Sequence, residues 1–297
     1  MSHSSGLPTT GRSLAANFCA PAVLAAFDAG QAIMEVYDSD FQVELKADQS
    51  PLTAADRASH NIIMQRLQQL WDFPVLSEES SEVPWETRRQ WETFWLVDPL
   101  DGTKDFVRRS GSGEFTVNIA LIHRCEPVLG IVYRPSRPTF YLGARGLGAR
   151  KLVLGKDFND RDDLSDALAL SASQPALPLT RQAQPGLVRV VATRSHSNQE
   201  TDDFISALEE QYGAVERVSI GSSLKFCLVA EGAADIYPRL GPTMEWDTAA
   251  AQAVAEAAGC TVKELQTGQP LRYNKPNLVN PFFVTYAADW PPNRNRA

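Results

Sequence analysis

The chain has 297 residues, 43% of them hydrophobic, which is enough for a large core near the size at which one core becomes two. Its formal charge of -8 excludes an ordinary nucleic-acid groove binder, which carries a basic face, but not an anionic small substrate, since bound metal ions reverse the local sign. The four scattered cysteines, Cys19, Cys125, Cys227 and Cys260, form no close pair and read as reduced thiols of a cytosolic protein rather than a disulfide frame or a zinc site.

Residues 1–13 are rich in Ser, Gly, Thr and Pro and are expected to be disordered. Arg12 followed by Leu14–Phe27 has a faint leader-like look, but Asn17 and Pro21 interrupt it. Pro21 suits a first helical position, and Val23, Phe27, Met34 and Tyr37 recur at helical spacing up to Asp38. No run reads as long and apolar enough to span a bilayer, so a cytoplasmic location is expected, with peripheral attachment to the cytoplasmic face of the inner membrane left open. Phe41, Val43 and Leu45 alternate with polar residues as a half-exposed strand, and Lys46–Thr53 reads as a polar loop. Thr53 and Asp56 have capping-box spacing at the head of a second helix whose apolar stripe is Ile63, Leu67 and Leu70. Read alone, Asp56 need only satisfy that helix start.

Phe73–Leu76 is a short apolar strand ending in Glu78 and Glu79. Phe94–Val97 is a second, buried strand that runs into Asp98, Pro99, Leu100, Asp101, Gly102 and Thr103. Pro99 is expected to end the ladder, Gly102 lets the backbone turn, and Thr103 falls where a helix can begin. Two carboxylates that close resist joint ionisation, and a hard cation with oxygen ligands, including the Leu100 carbonyl, removes the conflict. Read singly, Asp98 caps a turn and Thr103 caps a helix. Taken together, the carboxylates, the kink, the glycine and the hydroxyl fit one task.

Phe115–Leu121, Val128–Tyr133 and Phe140–Leu142 predict an antiparallel meander, with Gly143, Gly146 and Gly148 at a hairpin rather than in a dinucleotide fingerprint. The expected organisation is residues 14–155 as an α+β domain carrying most of the candidate metal ligands, 156–186 as a connecting segment, and 187–297 as an α/β domain that supplies Asp247 and further ligand contacts. In that second part Val188–Ala192 and Val215–Ile220 are strands followed by polar loops, one holding His196 and the other Gly221, Ser222 and Ser223 before Lys225. His196 and Lys225, taken singly, are a loop histidine and a solvated lysine. Ile236–Tyr237 precedes Arg239, and Trp246–Asp247 opens an Ala-rich helix that ends at Gly259. Asp247 reads either as an N-cap or as a third strand-end carboxylate.

Ser77-Glu78-Glu79-Ser80, Asp98–Thr103 and Trp246-Asp247 together closely resemble the signature of the inositol-monophosphatase-like metal phosphatases. Within that family, Lys104-Asp105-Phe106, Gly113–Ala120, Gly221–Gly232 and Tyr237-Pro238-Arg239 most resemble the bacterial 3'(2'),5'-bisphosphate nucleotidases, over roughly residues 20–285. The resemblance implies a layered αβαβα sandwich and two or more Mg2+ ions held by Glu78, Asp98, Leu100, Asp101 and Asp247, with Asp98 bridging. It assigns Asp56 and Thr103 to water activation and counts Glu78 among the catalytic residues. It places the substrate against Glu78, Leu100, Asp101, Gly102, Thr103, His196, Ser222, Lys225, Arg239 and Asp247. The implied reaction is Li+-sensitive hydrolysis of the 3'-phosphate of adenosine 3',5'-bisphosphate, or of its 5'-phosphosulfate, by a monomer or homodimer.

Two departures from the family pattern stand out. Ala251 replaces a usual glycine, and the segments around 108–113 and 155–186 are longer than the type. No P-loop is present, and no cysteine precedes a phosphate-cradling loop with a following arginine, which argues against an NTPase and a cysteine phosphatase. The rival readings are an inositol or sugar phosphate phosphatase on the same site and a non-catalytic nucleotide sensor.

Overall fold

The computed structural model describes residues 11–45, 51–70, 72–80, 83–109, 112–155, 164, 177, 186–192 and 198–291. Helix α1 (Gly11–Tyr37) starts well before Pro21, which lies inside it, so Gly11 and Arg12 are helical rather than disordered. The interior proline forgoes one ladder bond. Ala22, Val23, Ala26, Phe27, Ala29 and Ile33 offset that cost, because all of them are buried. By length and composition Cys19–Tyr37 is apolar enough to cross a membrane, contrary to expectation. Here its apolar face is spent on the core.

Strand β1 (Val43–Leu45) pairs antiparallel with β2 (Pro51–Thr53), so the end of the expected loop is a strand. Residues 46–50 lie outside the described residues. Helix α2 (Ala54–Leu70) follows, with Ile63 and Leu67 buried.

The first sheet is built from β3 (Val75–Ser77), β4 (Thr93–Asp101), β5 (Thr116–His123), β6 (Glu126–Arg134), β7 (Thr139–Ala144) and β8 (Gly148–Val153), in that order. The short helix α3 (Trp85–Arg88), which the sequence does not announce, precedes β4, and α4 (Thr103–Arg108) follows it. Only the β3–β4 pair is parallel; the rest is the expected meander. Gly146 and Gly148 take positive φ at the β7–β8 turn, as a hairpin there requires.

The second sheet has the order β10-β9-β11-β13-β12. In chain order its elements are β9 (Leu187–Ala192), α5 (Gln199–Tyr212), β10 (Ala214–Ser219), α6 (Leu224–Ala230), β11 (Ile236–Arg239), α7 (Glu245–Ala257), β12 (Thr261–Glu264) and β13 (Phe283–Tyr286). Strands β9, β10 and β11 run parallel, while β13 is antiparallel to both neighbours. β12 and β13 went unpredicted, being four residues each with little period to read.

The layers run α1 and α2, first sheet, α6 and α7, second sheet, α5: the αβαβα sandwich that the motifs imply. Because helices cover both faces of the first sheet, β5 is buried from Thr116 to Ile122. The Ala-rich α7 lies unusually close to that sheet. A Cβ on Gly130 would overlap the Ala250 carbonyl, and one on Gly143 would overlap Val254 Cα. Ala251, the departure from the family pattern, is fully buried in the same helix. In the long stretch after Gly155, Leu164 and Leu177 are buried, and the Leu177 N–H donates to the Ala149 carbonyl (2.7 Å).

Candidate active site

The site begins with two neighbouring strand ends. β3 and β4 run parallel with Ser77 opposite Val97, so Glu78 and Asp98 emerge side by side. The ladder does not stop at Pro99 as expected. It breaks register after Asp98 and resumes at Asp101 opposite Thr116. A proline is tolerated at such an irregularity because no ladder bond is asked of it. The kink is pinned from both sides: Ser59 Oγ donates to the Pro99 carbonyl (2.7 Å) and the Leu100 N–H donates to Asp98 Oδ1 (3.0 Å). Gly102 then takes φ 89, a left-handed conformation that costs glycine nothing, and Thr103 is the first residue of α4.

Asp98 is 1% exposed. Burial, then the charges of Glu78, Asp101 and Asp247, push its carboxyl well above the usual range, and the Leu100 N–H only partly opposes them. Burial also raises Asp101, against the pull of Lys225, the Ser223 N–H, Asn118 and Arg239. Asp247 is pushed up to about 8, by burial first and then by Asp101 and Glu78, while the Met244 N–H and Arg239 draw it down. Asp247 sits in the first turn of α7, where its Oδ2 accepts from the Met244 N–H (2.9 Å). It therefore meets the helix-start role and also faces the other acids. Four carboxylates from distant parts of the chain thus share one low-dielectric neighbourhood and raise one another's cost of ionisation.

Among the described residues, no group of three or more His, Cys, Asp or Glu stands as a closed metal cage. The donor set, all oxygen and all acidic, suits a hard divalent cation that would draw these groups in.

Beside the carboxylates stands the expected hydroxyl. Thr103 Oγ1 lies 3.2 Å from Asp56 Oδ1 and 3.0 Å from the Leu100 carbonyl, either of which takes its proton. Asp56 Oδ2 accepts from both the N–H and the hydroxyl of Thr53 (2.7 Å each). One carboxylate therefore anchors α2 with one oxygen and meets Thr103 with the other.

The turn Gly221–Ser223, which leads into α6, approaches from the second half of the chain. The Gly221 N–H donates to Glu114 Oε2 (2.7 Å) and the Ser223 N–H to Asp101 Oδ2 (2.6 Å). Ser222 holds φ 50, and its Oγ is buried with no hydrogen-bond partner. Lys225 donates to the Ser222 carbonyl (2.7 Å), and burial pushes its ammonium down to about 8 despite the charge of Asp101. Arg239, at the end of β11, donates to the Pro242 carbonyl (2.9 Å) and acts electrostatically on Asp101, Asp247 and Lys225. Ser222, Lys225 and Arg239 are therefore brought to the carboxylates, whereas His196 lies outside the described residues. Glu114, Thr116, Asn118 and Ser223 were missed from sequence. Polar residues at alternate positions of an otherwise apolar strand were the available signal for Thr116 and Asn118.

Residues 15–286 match the inositol monophosphatase family. The chain belongs to that family. A Shigella flexneri protein named 3'(2'),5'-bisphosphate nucleotidase CysQ is 46% identical over 266 residues, spanning 86% of this chain and 94% of its own. The protein of the same name from Escherichia coli strain K12 matches to the same extent. The crystal structure of CysQ from Bacteroides thetaiotaomicron, a bacterial member of the inositol monophosphatase family, is 42% identical, with a TM-score of 0.78 over 93% of this chain and 98% of that one. The resemblance drawn from the motifs is borne out, and so is the sandwich fold. The inositol monophosphatase family is generally metal-dependent, in keeping with a buried acidic donor set.

Proposed function

We propose that the chain is a Mg2+-dependent 3'(2'),5'-bisphosphate nucleotidase. It would cleave the 3'-phosphate of adenosine 3',5'-bisphosphate to give AMP and phosphate, and act likewise on the 5'-phosphosulfate. Relatives of that name support the reading at 46% identity over nearly their whole length. The observation that carries it is the company kept by the carboxylates. Glu78, Asp98, Asp101 and Asp247 act on one another electrostatically, with the Thr103–Asp56 pair beside Asp98 and Asp101 and the cations of Lys225 and Arg239 close by.

In this reading Glu78, Asp98, Asp101, Asp247 and the Leu100 carbonyl would hold Mg2+. Bound there, it would supply a water of lowered pKa and neutralise charge on the phosphate and the departing oxygen. The chain does the rest. Thr103 donates its hydroxyl hydrogen bond to Asp56 or to the Leu100 carbonyl, which leaves an oxygen lone pair to accept from and orient the attacking water. Lys225 and Arg239, with Ser222 and His196, hold the second phosphate and the nucleoside. The turn at Gly102 and the start of α4 receive the phosphoryl oxygens.

Phosphate release should be measured with and without Mg2+ on adenosine 3',5'-bisphosphate, inositol 1-phosphate and fructose 1,6-bisphosphate. The expected outcome is Mg2+-dependent, Li+-inhibited turnover favouring the nucleotide, abolished in Asp101→Asn without loss of fold. Full activity in that variant refutes the metal assignment. Preference for inositol 1-phosphate moves the substrate to the sugar phosphates, and nucleotide binding without phosphate release favours a sensor.

A further inference from the structure

Three buried side chains that the reaction does not use join the Gly221–Lys225 turn to the carboxylate of Asp101. Thr116 and Asn118, on β5, are 0% and 1% exposed, and Ser223, more than 100 residues away in sequence, is 3% exposed. Ser223 Oγ donates to Asn118 Oδ1 (2.7 Å) and lies 2.9 Å from Thr116 Oγ1. Asn118 Nδ2 faces Asp101 Oδ2 at 3.5 Å, and the Ser223 N–H donates to that same oxygen at 2.6 Å.

The polarity of this chain is fixed at one end by charge. Asn118 must turn its amide nitrogen, not its oxygen, toward the Asp101 carboxylate. Its oxygen is then left to accept, so Ser223 must give its only proton there. Having given it, Ser223 can only accept from Thr116. Thr116, Ser223, Asn118 and Asp101 thus form a directed sequence with one consistent arrangement.

A second observation sets Ser223 apart. It is the N-cap residue of α6, a position where a serine hydroxyl ordinarily accepts from its own helix, yet it makes no such bond. The hydroxyl is diverted to Asn118 instead. The same turn carries Ser222 in a left-handed conformation and, through the Ser222 carbonyl, holds Lys225. Glu114 clamps the turn again at Gly221.

We propose that Ser223 is a positioning residue: its hydroxyl locks the Gly221–Lys225 turn to Asp101, so that the cation end and the nucleotide end of the site are set together. The proposal rests on the metal and substrate reading given above. Its signature is a paired loss. Without the hydroxyl, the turn and the Asp101 carboxylate both lose their register, and Mg2+ affinity and nucleotide KM worsen together. A residue that served only the fold would lower thermal stability and leave both constants near wild type.

The test uses the full chain. Mg2+ binding to metal-stripped protein is measured by calorimetry, without substrate, and KM and kcat for adenosine 3',5'-bisphosphate are measured at saturating Mg2+. Ser223→Ala, which keeps the N–H, is expected to weaken Mg2+ binding ~10-fold, the usual scale for a buried hydrogen bond, with a KM rise of similar size. Ser223→Thr is expected to restore both. Asn118→Ala removes the acceptor through which the Ser223 hydroxyl reaches Asp101 and serves if Ser223→Ala does not fold; it should give the same paired loss, and the two changes combined should cost no more than Asn118→Ala alone. Wild-type-like constants in Ser223→Ala, or movement of one constant without the other, overturn the proposal. A wild-type protein that binds no Mg2+ overturns instead the metal reading beneath it.

Discussion

Replacing Asp247 by Asn should stabilise the metal-free protein. The folded chain holds this carboxyl at about 8, against an ordinary value of 3.8. Between those two values the folded state keeps a proton that the unfolded state has released, so stability falls as pH rises through that window. At ~1.4 kcal/mol per pH unit, the cost reaches at most ~4 kcal/mol at pH 7 and ~2 kcal/mol at pH 5. Asp247 is not wholly sealed from solvent, and its neighbours relax, so about half of each figure is expected. Asn avoids the cost and still accepts from the Met244 N–H. In EDTA at pH 7 the variant should melt roughly 3 °C above wild type, at about 1.6 °C per kcal/mol for a chain of 297 residues. The gap should narrow at pH 5 and close near pH 4. Added Mg2+ should reverse the order, because the wild type gains by mass action what the variant cannot. Thermal melts monitored by circular dichroism across that pH range suffice. A variant less stable than wild type in EDTA at pH 7, or a gap indifferent to pH, would refute the reasoning.

Three further outcomes are expected. Gly143→Ala forces a methyl into Val254 of α7 and should cost ~1–3 kcal/mol or more, read as a lower urea midpoint at unchanged slope. Glu245 is 0% exposed and accepts from the Asn274 N–H (2.6 Å), the Lys275 N–H (2.9 Å) and Lys275 Nζ (2.7 Å); Glu245→Ala strands the two backbone donors, while Lys275 Nζ keeps the Arg272 carbonyl and Asn280, and should cost ~2–4 kcal/mol by the same assay. Burial holds the Lys225 ammonium down to about 8, so KM for the bisphosphate should climb as pH passes 8, while Lys225→Met should show a high KM that is flat across that range.

The acidic turn was legible because its chemistry is local. Asp98, Pro99, Asp101, Gly102 and Thr103 sit within six residues, and each type has a reason to be there. The strands of the meander were legible from their period and their bounding glycines. Pro99 misled, because proline ends a ladder only when a bond is demanded of it, and the break in register removed that demand. Pro21 misled for the opposite reason: packing of α1 on the core outweighs the lost bond. Cys19–Tyr37 makes the same point, since its composition would suit a bilayer and its buried face instead meets the core. The Thr116–Ser223–Asn118 contact was out of reach because it joins residues more than 100 positions apart, and only the fold brings them together.

The seating of α7 against Gly130 and Gly143 also bears on how the polypeptide is made. Strands β3–β8 have all been synthesised by Val153, yet one side of their sheet receives its cover only when Glu245–Ala257 is made. Through that interval a broad greasy face of the nascent chain waits uncovered, the kind of surface that chaperones hold and that aggregates form on. Translation that stalls before α7 should therefore yield insoluble product.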